Sequence, residues 1–117
     1  MKLDVDPAVE AAVAALRVVF VRELPPKLDE VGAAIALARG GDPAALRGAY
    51  QLAHRLFGST GAYGLADVAE PLGAIEQLLY EATERRVAAD ERLWRSIDAS
   101  LAAAIAAAAL RRASSAE

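Results

Sequence analysis

Two Asp-Pro pairs, Asp6-Pro7 and Asp42-Pro43, do most to limit what this chain can fold into. An aspartate that accepts from the first free backbone amides, followed by a proline whose fixed φ suits the first helical position, is a helix start. Behind each pair the apolar residues recur at spacings of three and four, the period of a helix face. Val9, Val13, Leu16, Val19 and Phe20 predict a first helix over about 7–23. Pro25-Pro26 interrupts that pattern, and a second stripe follows through Leu28, Val31, Ile35 and Leu37 to Gly40-Gly41. The two stretches are expected as one bent helix or as two helices in sequence.

The second Asp-Pro pair opens a helix through Leu46, Tyr50, Ala53 and Phe57, which Gly61 to Gly64 turn or end. Leu65, Val68, Leu72, Ile75, Leu78 and Leu79 mark the next helix, where Pro71 should bend the chain or delay its regular start. Asp90 is placed to cap a last helix carrying Leu93, Trp94, Ile97, Leu101 and Ile105, and the tail from 110 to 117 is expected to fray. Tyr63 and Trp94 are expected to pack, and Arg85 and Arg86 to form a solvated charge run.

A length of 117 residues suits a single domain, 1–117, with one core. The residues are 56% hydrophobic but only 5% aromatic, with alanine prominent, which favours closely approaching helices over a sandwich of β-branched strands. The expected fold is all-α, an antiparallel four-helix bundle with an N-terminal helical extension. A net charge of -3 offers no field for a phosphate backbone, so nucleic acid is not expected as a partner. No cysteine and a single histidine leave no zinc site. The uncharged stretch Ala99 to Leu110 is shorter than the roughly 20 residues of a bilayer span, and "MKLDVDPAVE" lacks the basic-then-apolar order of a signal peptide. A soluble cytoplasmic protein with no membrane partner is expected.

The one histidine, His54, stands in the stretch "AHRLFGSTGAYG". With Leu46, Leu52, Ala53, Leu56 and Thr60 covering the core side of its helix, Arg47, Gln51, His54, Arg55 and Gly58 face outward. A glycine inside a helix costs about 1 kcal/mol relative to alanine. Gly58, one turn after His54, would leave the imidazole open to an incoming group.

His54, Leu56, Gly58, Ser59 and Gly64, continued by "LADVAEPLGAIEQLL", resemble the signature of the histidine phosphotransfer (HPt) domain, and "GSTGAYG" looks like the version in chemotaxis-type kinases. The order of helices from Phe20 to Leu56 resembles the family as well. The resemblance implies that His54 is the phosphoacceptor, attacking through Nε2, with the phosphoryl group exchanged with a receiver-domain aspartate. It implies that Glu76, in "AIEQ", accepts from Nδ1 and orients the ring, with Gln77 as the fallback; otherwise Glu76 is a solvated helix acid. Gln51, Arg55, Phe57, Gly58 and Ser59 would form the docking surface. The family pattern has lysine where Phe57 stands. Arg55, or a lysine and Mg²⁺ on the receiver, could supply the missing positive charge; Phe57 itself could widen an apolar docking surface or turn into the core.

The implied function is that of a phosphocarrier between receiver domains, with no kinase activity and no cofactor of its own, Mg²⁺ residing on the partner receiver or kinase. Receivers and a sensor kinase are the expected partners, and the chain is expected to be a monomer. Two alternatives stand beside it. One is an interaction-only regulator in which Phe57 marks the loss of transfer. The other is the phosphoacceptor domain of a chemotaxis-type kinase, less expected because Met1 and the polar tail read as a complete small protein.

Overall fold

The structure is a computed structural model and describes residues 6–115. It contains four helices, α1 (Pro7–Ala38), α2 (Pro43–Ala62), α3 (Ala66–Thr83) and α4 (Glu91–Ser115). Each helix packs on its neighbours in sequence, and α4 closes the ring against α1.

The sequence signals for helix starts act as written. Asp6 Oδ1 accepts from the Ala8 amide at 2.8 Å, Asp42 Oδ1 from Ala44 at 3.3 Å and Asp90 Oδ1 from Leu93 at 3.1 Å. Each satisfies an amide that the first turn leaves without a partner. At the other end of α2, Gly64 adopts φ +72°, the Leu65 amide reaches the Thr60 carbonyl at 2.9 Å and the Gly64 amide reaches Gly61 at 3.0 Å. This left-handed helix stop needs a residue without a Cβ penalty. It reverses the chain within three residues, so α3 runs back antiparallel along α2.

Pro25-Pro26 does not divide the first segment: α1 continues through both prolines. Each proline withdraws a backbone donor, and helix is locally unfavourable there. Burial of Phe20, Val21 and Leu24 on one side and of Leu28, Val31, Ile35 and Ala38 on the other carries one stripe across the pair. Tertiary packing therefore overrides the local preference. Pro71 is likewise held inside α3, between buried Val68 and Leu72. The extension foreseen at the N-terminus is the first half of α1 itself.

The core is aliphatic, with Leu24, Leu28, Leu65, Leu72, Ile75, Leu79 and Ile97 shut off from solvent and Thr60 its one buried polar residue among those described. Thr60 Oγ1 donates to the Phe57 carbonyl at 2.9 Å, so its hydroxyl is satisfied within the helix. Tyr63 stacks on Phe20 with centroids 4.6 Å apart, and Trp94 is buried. Besides Val9, Val13, Leu16 and Val19 in the projecting half of α1, two residues expected on apolar stripes lie outside the core: Leu37 is 71% exposed and Ile105 45%. Their stripes run instead through Ala38 and through Ala104 and Ala108, where alanine lets the helices approach.

The stretch from 110, expected to fray, is helical as far as Ser115. Arg111 anchors it: its Nε lies 3.0 and 3.1 Å from the two carboxylate oxygens of Asp67 at the start of α3. The same hydrogen bonding holds the Asp67 carboxyl below its ordinary pKa and the Arg111 guanidinium above its own. Residues 116 and 117 lie outside the described range. By length and composition Glu91–Ser114 could also cross a membrane, more than the uncharged stretch alone suggested. In this fold it buries Leu93, Trp94, Ile97, Ala104 and Ala108 against the bundle. Beyond α3, Arg86 does not simply face water; its guanidinium lies 5.5 Å from the Tyr80 ring centroid.

Candidate functional site

The side of α2 turned to the core consists of Ala49, Ala53, Leu56 and Thr60. His54 follows Ala53 by one residue, about 100° around the helix, which brings it to the edge of that buried face. On α3, Glu76 stands in the same relation to fully buried Ile75. Because α2 and α3 are antiparallel and joined by a short turn, these two edges meet. His54 Nδ1 and Glu76 Oε1 are 2.5 Å apart.

Their exposure is unequal, and the inequality decides what each can do. The His54 side chain is 60% accessible, whereas that of Glu76 is 17% accessible. The carboxylate sits in the seam between the helices and the imidazole projects from it. With the Nδ1 proton donated to Glu76, the lone pair of a neutral ring is at Nε2. The carboxylate opposite Nδ1 also faces the positive charge that the ring takes on when Nε2 forms a bond to an electrophile.

Tyr50, one turn before His54, stacks on the imidazole with centroids 5.9 Å apart and planes 23° from parallel. Tyr80 of α3 supports Tyr50 in turn, at 5.7 Å. The ring is thus held by a hydrogen bond on one edge and an aromatic face beside it.

At Gly58 an added Cβ would meet no atom within 4 Å, so the helix surface one turn beyond His54 is open. Phe57 is 37% exposed, between the docking surface and the core that the sequence allowed. Its ring lies over Gly73 of α3, where a Cβ would stand 2.9 Å from Cε1. Gln51 and Arg55 are exposed and share a shallow groove with Tyr50 and His54. Arg55 also borders a second groove between α1 and α2, with Lys27, Glu30 and Ser59. Ser59 directs its hydroxyl to its own helix, donating to the Arg55 carbonyl at 3.1 Å. Gln77, the fallback partner for His54, is exposed and donates to Glu81 at 3.0 Å. Among the described residues no cluster of three or more His, Asp and Glu side chains comes together to hold a metal.

Tyr80 and Gly73 carry no mark in the sequence analysis, and Tyr50 appears there only on the apolar stripe of α2. Tyr50 had a signal, since it lies four residues before His54. Gly73, three residues before Glu76, had a weaker one: a glycine inside a helix needs a reason, and the Phe57 ring supplies it.

A sequence-family model described as Hpt domain matches residues 15–109, from within α1 to within α4. The chain belongs to the Hpt domain family. Hpt domains are phosphocarriers rather than kinases, and they act in phosphorelays with receiver domains and kinases. The four-helix, strand-free architecture accords with the family. The match is to the Hpt domain as a whole and does not single out the chemotaxis-type version. No curated protein and no solved structure matches the chain significantly.

Proposed function

We propose that this Hpt domain is a carrier that takes a phosphoryl group on His54 from a receiver-domain aspartyl phosphate and gives it to the aspartate of another receiver. The observation that carries the reading is the short contact between Nδ1 of His54 and the largely buried Glu76, which leaves the exposed ring with its nucleophilic nitrogen outward.

In the forward step the Nε2 lone pair attacks phosphorus. The N–P bond forms as the bond from phosphorus to the aspartyl oxygen breaks, and the aspartate departs as a carboxylate. The ring keeps its Nδ1 proton and becomes a phosphoimidazolium, whose positive charge faces Glu76. Onward transfer is the same step in reverse, with a new aspartate oxygen as nucleophile. No base need remove a proton, so the domain needs only to orient the ring and admit its partner. Gly58 provides the opening, Gln51 and Arg55 the polar rim, and Phe57 an apolar contact. The domain brings no cofactor; Mg²⁺ and a lysine on the receiver, together with Arg55, neutralise the transferring group. On this reading the protein is a cytoplasmic shuttle whose turnover belongs to its partners.

Phe57 in place of the family's lysine favours one other reading, a regulator that binds receivers without accepting phosphate. Intact mass measured after mixing with a receiver phosphorylated by acetyl phosphate separates the two. The carrier gains one acid-labile phosphoryl group that His54→Gln lacks. Binding with no mass gain across the receivers of its genome overturns the carrier reading.

A further inference from the structure

The stripe that α1 buries in the bundle does not stop where the bundle does. Phe20, Leu24, Leu28, Val31, Ile35 and Ala38 are covered by the other helices. On the same face, Leu16, Val13 and Val9 continue it toward the N-terminus at 56%, 52% and 52% exposure. All of 6–19 is exposed, because the turn between α2 and α3 reaches only the level of Arg17 and Phe20. Isolated exposed valines and leucines need no explanation, but an ordered apolar seam of about 10 Å along one face of a helix, continuous with the buried stripe, does. The family match begins only at residue 15, so the first two turns of this projection lie outside the domain proper.

Val9, Val13, Leu16 and Phe20 are spaced four, three and four residues apart, the pattern of seam positions d, a, d and a in a helical pair. The flanking positions choose the orientation. Glu10 and Arg17 both fall at position e, while the opposite flank carries Ala12 and Val19 at position g. In an antiparallel pair e faces e and g faces g. The register that sets Val13 against Leu16 of a second copy, twice by symmetry, also brings Glu10 opposite the other copy's Arg17 and lays Val9 over the end of the other bundle, where Phe20 is already covered by Tyr63. Ala12 and Val19 then meet on the dry flank. A parallel pair would set e against g and leave both charges opposite small apolar residues. The acidic and basic residues are thus complementary to a reversed copy of the same segment and not to a parallel one.

We infer that a second copy of this chain covers the projection, the two α1 N-terminal halves pairing antiparallel about a twofold axis near residues 14 and 15. This departs from the monomer expected from the sequence. The seam is short beside standard protein interfaces, so the dimer is concentration-dependent rather than permanent. His54 lies on α2, away from the seam, and stays accessible in the dimer.

Sedimentation equilibrium of the full chain over a wide concentration range tests this, with circular dichroism to check the fold of each variant. Expected is a monomer–dimer equilibrium that Leu16→Glu weakens by about tenfold or more, as a loss of about 1.4 kcal/mol or greater requires. Glu10→Arg and Arg17→Glu should each weaken it, and the double exchange should restore it. A wild type that stays monomeric, alone or until some other protein or a lipid vesicle is added, overturns the proposal. So does a dimer indifferent to Leu16→Glu, and single charge reversals without effect overturn the antiparallel register on which it rests.

Discussion

The ring of Phe57 on α2 occupies the space that a side chain at Gly73 on α3 would fill, with Cε1 2.9 Å from the position of a Cβ there. Glycine at 73 and phenylalanine at 57 therefore form a unit. Alanine at 73 gains about 0.5–1 kcal/mol in helix preference over glycine but must displace the ring. In a Phe57→Ala background the full gain is expected in urea denaturation, and in the wild type it should shrink or change sign. Equal gains in both backgrounds would mean that the two residues do not meet. Phe57→Lys is expected to lose some stability while phosphoryl transfer is unchanged or faster.

Gly58 offers the opposite case. A methyl group there meets nothing within 4 Å, so Gly58→Ala should raise stability by about 0.5–1 kcal/mol. Transfer from a receiver should nonetheless slow, since the methyl group narrows the approach to His54. Stability and transfer rising together would show that the opening does not serve the partner.

Glu76→Ala removes the acceptor that holds the imidazole while leaving its nucleophilic nitrogen in place. Transfer is expected to fall by about tenfold, on the order of one charge-assisted hydrogen bond. Glu76→Gln should fall between this variant and the wild type. Rapid-quench measurement of phospho-His54 reads the rate, and a phosphoryl group still found at His54 distinguishes slower chemistry from a changed acceptor. An unchanged rate in Glu76→Ala would reduce the contact to a structural one.

The pair Asp67–Arg111 gives a pH dependence whose sign follows from the lowered carboxyl pKa. An acid whose pKa is lower folded than unfolded contributes its stability above the unfolded value, near 3.9 for aspartate. That contribution is lost as pH falls through the folded value. Thermal unfolding followed from neutral to strongly acidic pH should therefore show a decline that is shallower in Asp67→Asn. Both side chains are partly exposed, so added salt should reduce the difference.

Helix starts were legible because a cap is a local event: Asp6, Asp42 and Asp90 each bond an amide within three residues. The stripe of α3 and the outward side of α2 were legible from their period. The continuity of α1 through Pro25-Pro26 was not, because the local chemistry argues for a break and only burial on both sides of the pair opposes it. The helical end of α4 depended on Asp67, forty-four residues earlier in the chain. At the site, His54 and Glu76 could be paired through a family resemblance and the antiparallel turn. The Phe57–Gly73 contact could not: a glycine inside α3 signals that something needs its space, but nothing local says that the ring of Phe57, sixteen residues earlier, is what fills it.

His54 and Glu76 are only twenty-two positions apart in the chain and belong to one helical hairpin closed by Gly64. In kinetic terms their contact closes a short loop, at little entropic cost beside the docking of α1 against α4. The hairpin can align imidazole and carboxylate before the remaining helices finish packing. Transfer competence should accordingly tolerate fraying at the far ends of α1 and α4 better than global stability does, leaving those ends free to diverge without altering the chemistry.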